Sequence, residues 1–292
     1  MKTEQLSSNT INVLLKMQRN EVTEHLIYQN LARRVKDEEN RDILLRIADE
    51  ELRHAKIWEQ LTGKEVKPHR FKVFIYTLLA LLLGYTFVLK KMEMGEDKAI
   101  AGYSAMIEEL PQAKQIADDE HRHEQSLLAM LDEQRLQYVG SMVLGLNDAL
   151  VELSGTLAGL TFALANNRLI ALSGLITGIS ATLSMASSEY LSTKNRDGEN
   201  ALKSSMYTGI AYLFTVAAMI IPYLVLENPF VSLAVMLTIV VVIILLFTYY
   251  ISVAKDLPFG KRFAEMAVIS LGVAAISFGI GVVVKQLLGI DI

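Results

Sequence analysis

The sequence predicts an all-α protein in which a four-helix bundle precedes a membrane domain of five transmembrane helices. Three observations support this fold class: charge is concentrated in the first half, that half repeats a Glu-x-x-His motif, and the second half contains five long apolar segments. Residues 1–137 hold 20 Lys and Arg, 23 Asp and Glu and all five His, whereas residues 138–292 hold 8 basic and 9 acidic residues. We therefore expect a soluble domain over 1–137 and a membrane domain over 138–292.

The composition also excludes several classes of function. None of the 292 residues is Cys, which excludes disulfide scaffolds, iron–sulfur clusters, cysteine zinc sites and thiol nucleophiles. The formal net charge of −4 gives no electrostatic basis for binding nucleic acid, so we expect no nucleic-acid partner. The first 20 residues mix charges with short apolar runs, so we expect no cleaved signal peptide there.

An internal repeat in the first half ends, in each copy, in Glu-x-x-His. Residues 47–54 (IADEELRH) align with residues 116–123 (IADDEHRH). Because residues i and i+3 of a helix share one face, each motif directs a carboxylate and an imidazole to the same interior point. Composition alone would give about a third of one such motif, which makes two in register a specific signal. The carboxylates and imidazoles of the two motifs are those of Glu51, His54, Glu120 and His123.

One further glutamate precedes each motif. Glu21 is followed seven residues later by Tyr28, and Glu96 is followed seven residues later by Tyr103. Two Glu-x-x-His helices and one Glu from each of two other helices form the di-iron or di-manganese site of ferritin-like four-helix bundles. Carboxylate and imidazole ligands suit iron or manganese better than copper or a structural zinc. We therefore predict a ferritin-like four-helix bundle with a di-iron site, or its manganese equivalent.

The residues around these glutamates leave alternatives open. Glu93 and Glu24 each lie three residues from a chosen glutamate and either bind the metal or lie beside the ligands; we include Glu93. The two tyrosines either hydrogen-bond to the ligands or pack in the core. For the whole set, the alternative is a group of solvated faces on charged helices. The predicted metal ligands are Glu21, Glu51, His54, Glu93, Glu96, Glu120 and His123.

An apolar segment at 71–89 is long enough to be interpreted as a sixth span. If it crossed the bilayer, Glu21 and the first motif would lie on one side and Glu96 and the second motif on the other. No single site could then form within one chain. We therefore predict a crossover into the third helix of the bundle, buried in the bundle, against a partner subunit or on the membrane surface.

Five apolar segments in the second half have about the 20 residues that a membrane-spanning helix needs. Polar connections containing Asn, Gly or Pro separate them, as expected for turns between antiparallel helices. Lys and Arg concentrate in the second and fourth connections, and basic loops favour the cytoplasmic side. We predict a multi-pass protein of the cell membrane with a cytoplasmic N-terminal domain and an external C-terminus. The predicted spans run near 139–165, 168–193, 204–226, 230–252 and 263–288.

Ionisable side chains are few inside the predicted spans, and each is costly enough there to indicate a function. Asp148 and Glu152 lie four residues apart on one helix face, as do Met185 and Glu189. Two packed helices would therefore offer carboxylates and a soft thioether to one ion. Ordinary packing is the alternative for Met185, and an interfacial charge is the alternative for Glu189. We predict that these four residues line a transport path for metal ions.

The first 135 residues resemble the ferritin-like domain of the rubrerythrin family. The resemblance rests on Glu21 with Tyr28 in the first helix and on the paired Glu93 and Glu96 in the third. Rubrerythrins also carry a cysteine-bound rubredoxin iron that donates electrons, and a chain without Cys cannot hold one. This difference counts against turnover as a peroxidase.

The second half resembles the vacuolar iron transporter family. The resemblance rests on the run from Gly145 to Asp148, on Gly155 and Gly159, and on Met185. It implies a homodimer with five spans per chain that moves Fe(II) out of the cytoplasm in exchange for protons. By position, it also implies that Asp148 and Met185 are metal ligands of the path. The order of the two modules is similar to that of bacterial membrane-bound ferritins that export iron.

The two halves together predict an exporter of Fe(II) or Mn(II). Its cytoplasmic di-iron domain would capture, oxidise or sense the ion and pass it to the path in the membrane. The alternative is a membrane-anchored ferroxidase or peroxidase, in which the spans serve only as an anchor. An anchor needs one helix and no carboxylates, so the polar residues within the spans favour the transporter.

Overall fold

The structure is a computed structural model that describes residues 7–95, 111–129, 139–196, 200–255 and 257–288. Over these ranges the chain forms ten α-helices and no β-strand, which confirms the all-α class. The chain divides into two compact units, Met1–Glu133 and Gln134–Ile292.

The first unit contains the helices of the bundle, and local sequence signals set their ends. The Ser7 hydroxyl accepts a hydrogen bond from the backbone N–H of Thr10 (3.1 Å), and Asp37 accepts one from the N–H of Asn40 (2.9 Å). The second helix ends at Gly63, whose φ of 65° lies in the left-handed region that favours glycine. The helices are α1 (Ser8–Ala32), α2 (Glu38–Thr62), α3 (Arg70–Leu83), α4 (85–95) and α5 (Pro111–Ala129).

The core of the first unit links α1, α2 and α5 around the only tryptophan. Trp58 is completely buried and packs with Leu14 of α1 and with Ala113 and Ile116 of α5. Its indole N–H donates a hydrogen bond to Oε1 of Glu21 (3.1 Å). The apolar core therefore also fixes the position of one predicted metal ligand.

The apolar segment at 71–89 is divided between two helices. Helix α3 ends at Leu83, and Gly84, with φ of 95°, separates it from α4. No residue of α3 is buried, whereas Phe87, Val88 and Leu89 of α4 are. Burial in the bundle, one of the three predicted placements, is therefore wrong for α3 because five of its large apolar side chains are exposed and the others are at most half-buried. It holds for the start of α4.

Among the described residues, the second unit contains five helices long and apolar enough to cross a membrane, which confirms the five predicted spans. Their mean hydropathy ranges from 1.2 to 3.2. The Asn166 side chain caps the second of them through the N–H groups of Arg168 and Leu169, and Asn228 caps the fourth. The helices are α6 (Val139–Leu164), α7 (Asn167–Arg196), α8 (Ala201–Val225), α9 (Pro229–Ala254) and α10 (Phe259–Leu288).

Helix α6 packs against each of the other four helices of the second unit. Glycines permit its closest approaches. A Cβ atom at Gly145 would lie 2.9 Å from the carbonyl oxygen of Thr208 on α8, and one at Gly159 would lie 3.0 Å from that of Ser277 on α10. Larger side chains at these positions would push the helices apart, as in other membrane bundles.

Candidate metal centre

Four predicted ligands from three helices meet in the interior of the first unit. Glu21 comes from α1, Glu51 and His54 from α2, and Glu120 from α5. One ligand atom of each lies within 4.8 Å of the others. Glu51 and His54 are only 1% and 2% exposed, so the cluster is shielded from solvent. The i, i+3 spacing on α2 acts as predicted because it brings one carboxylate and one imidazole to the same point.

His123 joins this cluster through two carboxylates that contact both imidazoles. Oε2 of Glu51 lies 3.7 Å from Nδ1 of His54, and its Oε1 lies 3.4 Å from Nδ1 of His123. Oε1 and Oε2 of Glu120 lie 3.2 Å and 3.3 Å from the same two nitrogens. Glu21 approaches His54 alone, at 3.8 Å. Glu51, Glu120 and the two imidazoles are the residues that would hold a pair of metal ions.

The buried polar atoms of the cluster fit bound cations. Both carboxylate oxygens of Glu51 and the Nδ1 atoms of His54 and His123 are buried and lack a hydrogen-bond partner among the described residues. Leaving such groups unsatisfied is costly, and bound divalent cations would satisfy them. Oxygen and imidazole ligands suit iron and manganese. The residues present therefore fit the di-metal site predicted from the sequence.

The carboxylates of the cluster favour the protonated form of its imidazoles. Burial lowers the pKa of His54 and His123, but the carboxylates around them, Glu120 first, outweigh burial. The pKa of His123 is raised to about 10, and that of His54 lies well above its ordinary value. Burial alone would raise the pKa of Glu120, but the two imidazoles lower it to about 2. An incoming metal ion must therefore displace protons from the imidazoles.

The remaining bundle residues of the predicted set are only partly described. Glu96 and Tyr103 lie outside the described residues. Glu93 of α4 forms an ion pair with Lys90 (3.2 Å), and its role as a ligand stays a prediction. Tyr28 is buried in the core, 1% exposed.

Two carboxylates that sequence reasoning missed hold the outer nitrogens of the histidines. Nε2 of His54 hydrogen-bonds to Asp119 (3.1 Å), and Nε2 of His123 hydrogen-bonds to Glu50. Each carboxylate belongs to the motif copy opposite to its histidine, directly before the ligand glutamate. The repeat contains the signal that could have identified them, since both copies have an acidic residue at this position. These contacts orient the imidazoles and leave both Nδ1 atoms facing the cluster.

Substitution of Asp119 should weaken metal binding without removing a ligand. We expect Asp119→Asn to lower the affinity for Fe(II) or Mn(II) by about 10- to 100-fold, because the His54 ring loses its anionic partner. Calorimetric titration of the purified chain measures this change. Asp118→Asn, an exposed neighbour on the same helix, is the matched control and should bind like the wild type. Equal affinities for the two variants would contradict an orienting role for Asp119.

A cavity of about 130 Å³ borders the cluster and extends between α1, α3 and α5. Its lining includes Glu21 and Glu120 of the cluster together with Glu24, Lys72 and Tyr76. Glu24 is 6% exposed and accepts a hydrogen bond from the Lys72 ammonium (3.0 Å). Burial raises the pKa of Glu24 to about 7, although Lys72 acts in the opposite direction. Glu24 therefore lies beside the predicted ligands in an ion pair.

In the second unit, Glu152 of α6 pairs with a tyrosine that sequence reasoning missed. The hydroxyl of Tyr212 on α8 donates a hydrogen bond to Oε2 of Glu152 (3.0 Å), and Tyr212 itself is buried. Asp148 lies one turn before Glu152 and is half-buried. Polar residues recur every three or four positions along α8, and this periodicity could have indicated a polar face toward α6.

Glu189 lies at another level of the second unit. Its Oε1 accepts hydrogen bonds from the hydroxyls of Ser141 on α6 (2.6 Å), Ser204 on α8 (2.5 Å) and Thr193 on α7 (3.1 Å). Ser141 and Glu152 are eleven residues apart on α6, which is about 16 Å along its axis. Glu189 and Glu152 therefore do not contact the same turn of α6.

Met185 of α7 is half-buried and packs against the apolar core of the second unit. The assignment of Asp148, Glu152, Met185 and Glu189 to one transport path stays a prediction. Among the described residues, the cluster of the first unit is the only group of three or more acidic or histidine side chains close enough to share one ion.

Comparison with known families gives two matches that divide the chain. The sequence model of the Rubrerythrin family matches residues 12–115, which include Glu21, Glu51 and His54. The model of the VIT family matches residues 139–197, which form the first two membrane helices. No curated protein sequence matches the chain.

Proposed function

We propose that this chain, in which a rubrerythrin-like domain is fused to a VIT family membrane domain, exports Fe(II) or Mn(II) from the cytoplasm in exchange for protons. One observation carries the proposal. The chain combines a buried cluster suited to divalent cations with carboxylates that are held between helices of membrane-spanning length. Ionisable groups are costly inside a bilayer and usually mark an ion pathway.

The first unit is proposed to capture the ion on the cytoplasmic side. The cavity beside the cluster offers an approach along Glu24 to Glu21 and Glu120. The carboxylates along this approach attract a divalent cation, and Lys72 would have to move away from Glu24 for Glu24 to bind it. A bound iron pair would supply redox chemistry toward oxygen or peroxide. Capture, oxidation and sensing all begin with binding at this cluster.

The second unit is proposed to conduct the ion past two successive groups of oxygen ligands. Glu189, which accepts hydrogen bonds from three hydroxyl groups, lies toward the end of α7. The basic residues Lys194 and Lys203 follow it, and the positive-inside rule assigns this basic connection to the cytoplasm. Asp148 and Glu152 would follow deeper in the membrane, with Met185 as a thioether ligand between the two groups. Multiple weak sites in series allow an ion both to enter and to leave.

A homodimer is proposed as the transporting species. Glu152 is exposed on the single chain although it lies in a span. A carboxylate that faces lipid is unfavourable, so this side of α6 should face a second copy or a water-filled path. The resemblance to the vacuolar iron transporters favours the same assembly.

The second candidate function is a membrane-anchored di-iron ferroxidase. The observation in its favour is the bridging position of Glu51 and Glu120 between two imidazoles, which is typical of oxygen-activating sites as well as of binding sites. A ferroxidase function would leave the carboxylates of the membrane helices without a role.

Metal flux into vesicles distinguishes the two functions. The full chain is reconstituted in proteoliposomes, and uptake of Fe(II) and Mn(II) is followed with and without a pH gradient. The transporter predicts flux that depends on the gradient and exceeds that of empty vesicles. Absence of flux together with intact Fe(II) oxidation would establish the oxidase instead.

A further inference from the structure

Helix α3 presents an apolar face to the surroundings of the first unit. Five side chains on this face are between 37% and 77% exposed. Their spacing of three, four, three and one residues places them on one side of the helix. An apolar surface of this kind marks a contact with a partner or with lipid. The α3 face consists of Phe71, Phe74, Leu78, Leu81 and Leu82.

The side of α3 that packs on the first unit carries polar side chains as well as half-buried apolar ones, whereas its exposed side is apolar. Its polar side chains point toward α1: Lys72 donates to Glu24 (3.0 Å), and Thr77 accepts a hydrogen bond from Asn30 (3.2 Å). Tyr76 lines the cavity beside the metal cluster. A helix in water normally buries its apolar face and exposes its polar one. Helix α3 is therefore built for apolar surroundings outside the first unit.

We propose that the α3 face lies in the interfacial layer of the bilayer, parallel to its surface. The stretch before the helix and its first residue are basic, with Lys64, Lys67 and Arg70 exposed and Glu65 as the only acidic residue there. Basic side chains beside an apolar helix face attract it to anionic lipid headgroups. A face flanked by basic side chains is less suited to a second copy, which would bring the same positive charges together.

The length of the chain supports lipid as the occupant. Helix α3 has 14 residues and is about 21 Å long, too short to cross a hydrocarbon core of about 30 Å. Nine residues separate Ala129 of α5 from Val139 of the first span, and they extend over at most about 36 Å. The bilayer surface is therefore always within reach of the first unit. This inference requires only that the second unit spans the membrane.

Site-specific labelling tests the proposal, and the chain is well suited to it because it contains no Cys. Phe74→Cys and Leu81→Cys are made in the full chain, labelled with an environment-sensitive fluorophore and reconstituted in vesicles of phosphatidylcholine and phosphatidylglycerol. Leu45→Cys, at a 40% exposed leucine of α2, is the matched control. Brominated lipids quench labels within the bilayer, and iodide quenches labels in water. Unchanged metal stoichiometry shows that each variant is folded, and Leu78→Cys replaces a variant that is not.

We expect lipid quenching at positions 74 and 81 to exceed that at position 45 by at least about threefold, with both labels at the same depth of about 5–10 Å. Iodide should quench the label at position 45 most strongly. Strong iodide quenching at position 74 would overturn the proposal. Energy transfer between labels on two copies, without lipid quenching, would instead assign the α3 face to a dimer contact. Unequal depths at positions 74 and 81 would contradict a helix parallel to the surface.

Discussion

Asp148→Ala is expected to reduce gradient-driven Fe(II) or Mn(II) flux in proteoliposomes to the level of empty vesicles. Asp148 and Glu152 are the two carboxylates of the first span, and they lie one helical turn apart. Removing one carboxylate leaves a divalent ion with too few oxygen ligands to replace its hydration shell. The initial rate of metal uptake at a fixed pH gradient measures the effect.

Two further variants show whether this loss is specific to the path. Glu227→Gln changes an exposed carboxylate in the connection between the third and fourth spans and should transport like the wild type. Tyr212→Phe removes only the hydrogen bond to Glu152 and should reduce flux less than Asp148→Ala does. All variants should keep the metal stoichiometry of the first unit. Wild-type flux in Asp148→Ala would disprove the proposed path.

Glu51→Gln is expected to lower the affinity of the first unit for Fe(II) or Mn(II). The loss should exceed the roughly 10- to 100-fold typical of removing a group that only hydrogen-bonds to a metal ligand. Glu51 of α2 contacts both imidazoles, those of His54 and His123. Both of its carboxylate oxygens are buried without a hydrogen-bond partner among the described residues. Glutamine keeps the size of the side chain but loses the charge and one acceptor oxygen. Both proposed metal positions should therefore be weakened together.

Metal stoichiometry and thermal unfolding of the purified chain measure this loss. At a metal concentration 1000 times the dissociation constant, binding adds about 4 kcal/mol to the free energy of unfolding of the wild-type domain. Glu51→Gln should lose most of this stabilisation, whereas Glu59→Gln, exposed on the same helix, should keep it. A variant at Glu51 that still binds two ions with unchanged affinity would show that the cluster is not the metal centre.

That each Glu-x-x-His motif directs its two side chains to one point could be predicted because helical periodicity is a local property. Two residues three apart share a face whatever surrounds the helix, so the two Glu-x-x-His motifs indicated their own geometry. The contacts of Asp119 with His54 and of Glu50 with His123 join opposite halves of the repeat. They depend on how α2 and α5 pack against each other, which no single helix specifies.

In the membrane half, too, features of single helices could be predicted and contacts between helices could not. Length and hydropathy were sufficient to predict five spans, because a bilayer requires about 20 apolar residues wherever the helix lies. The partners of the carboxylates could not be predicted this way. Tyr212 reaches Glu152, and Ser141 and Ser204 reach Glu189, only because α6, α7 and α8 pack together at particular rotations about their axes.

By itself, the sequence determined the all-α class, the two domains and the five spans and singled out the residues proposed to bind metal, because each follows from composition or from the period of one helix. The tertiary structure alone decided that Glu51 and Glu120 each contact both imidazoles and that Glu152 and Glu189 lie at separate levels of the second unit. It also decided that α3 turns its apolar side outward. These features depend on which faces of different helices meet, and that depends on packing between segments distant in sequence.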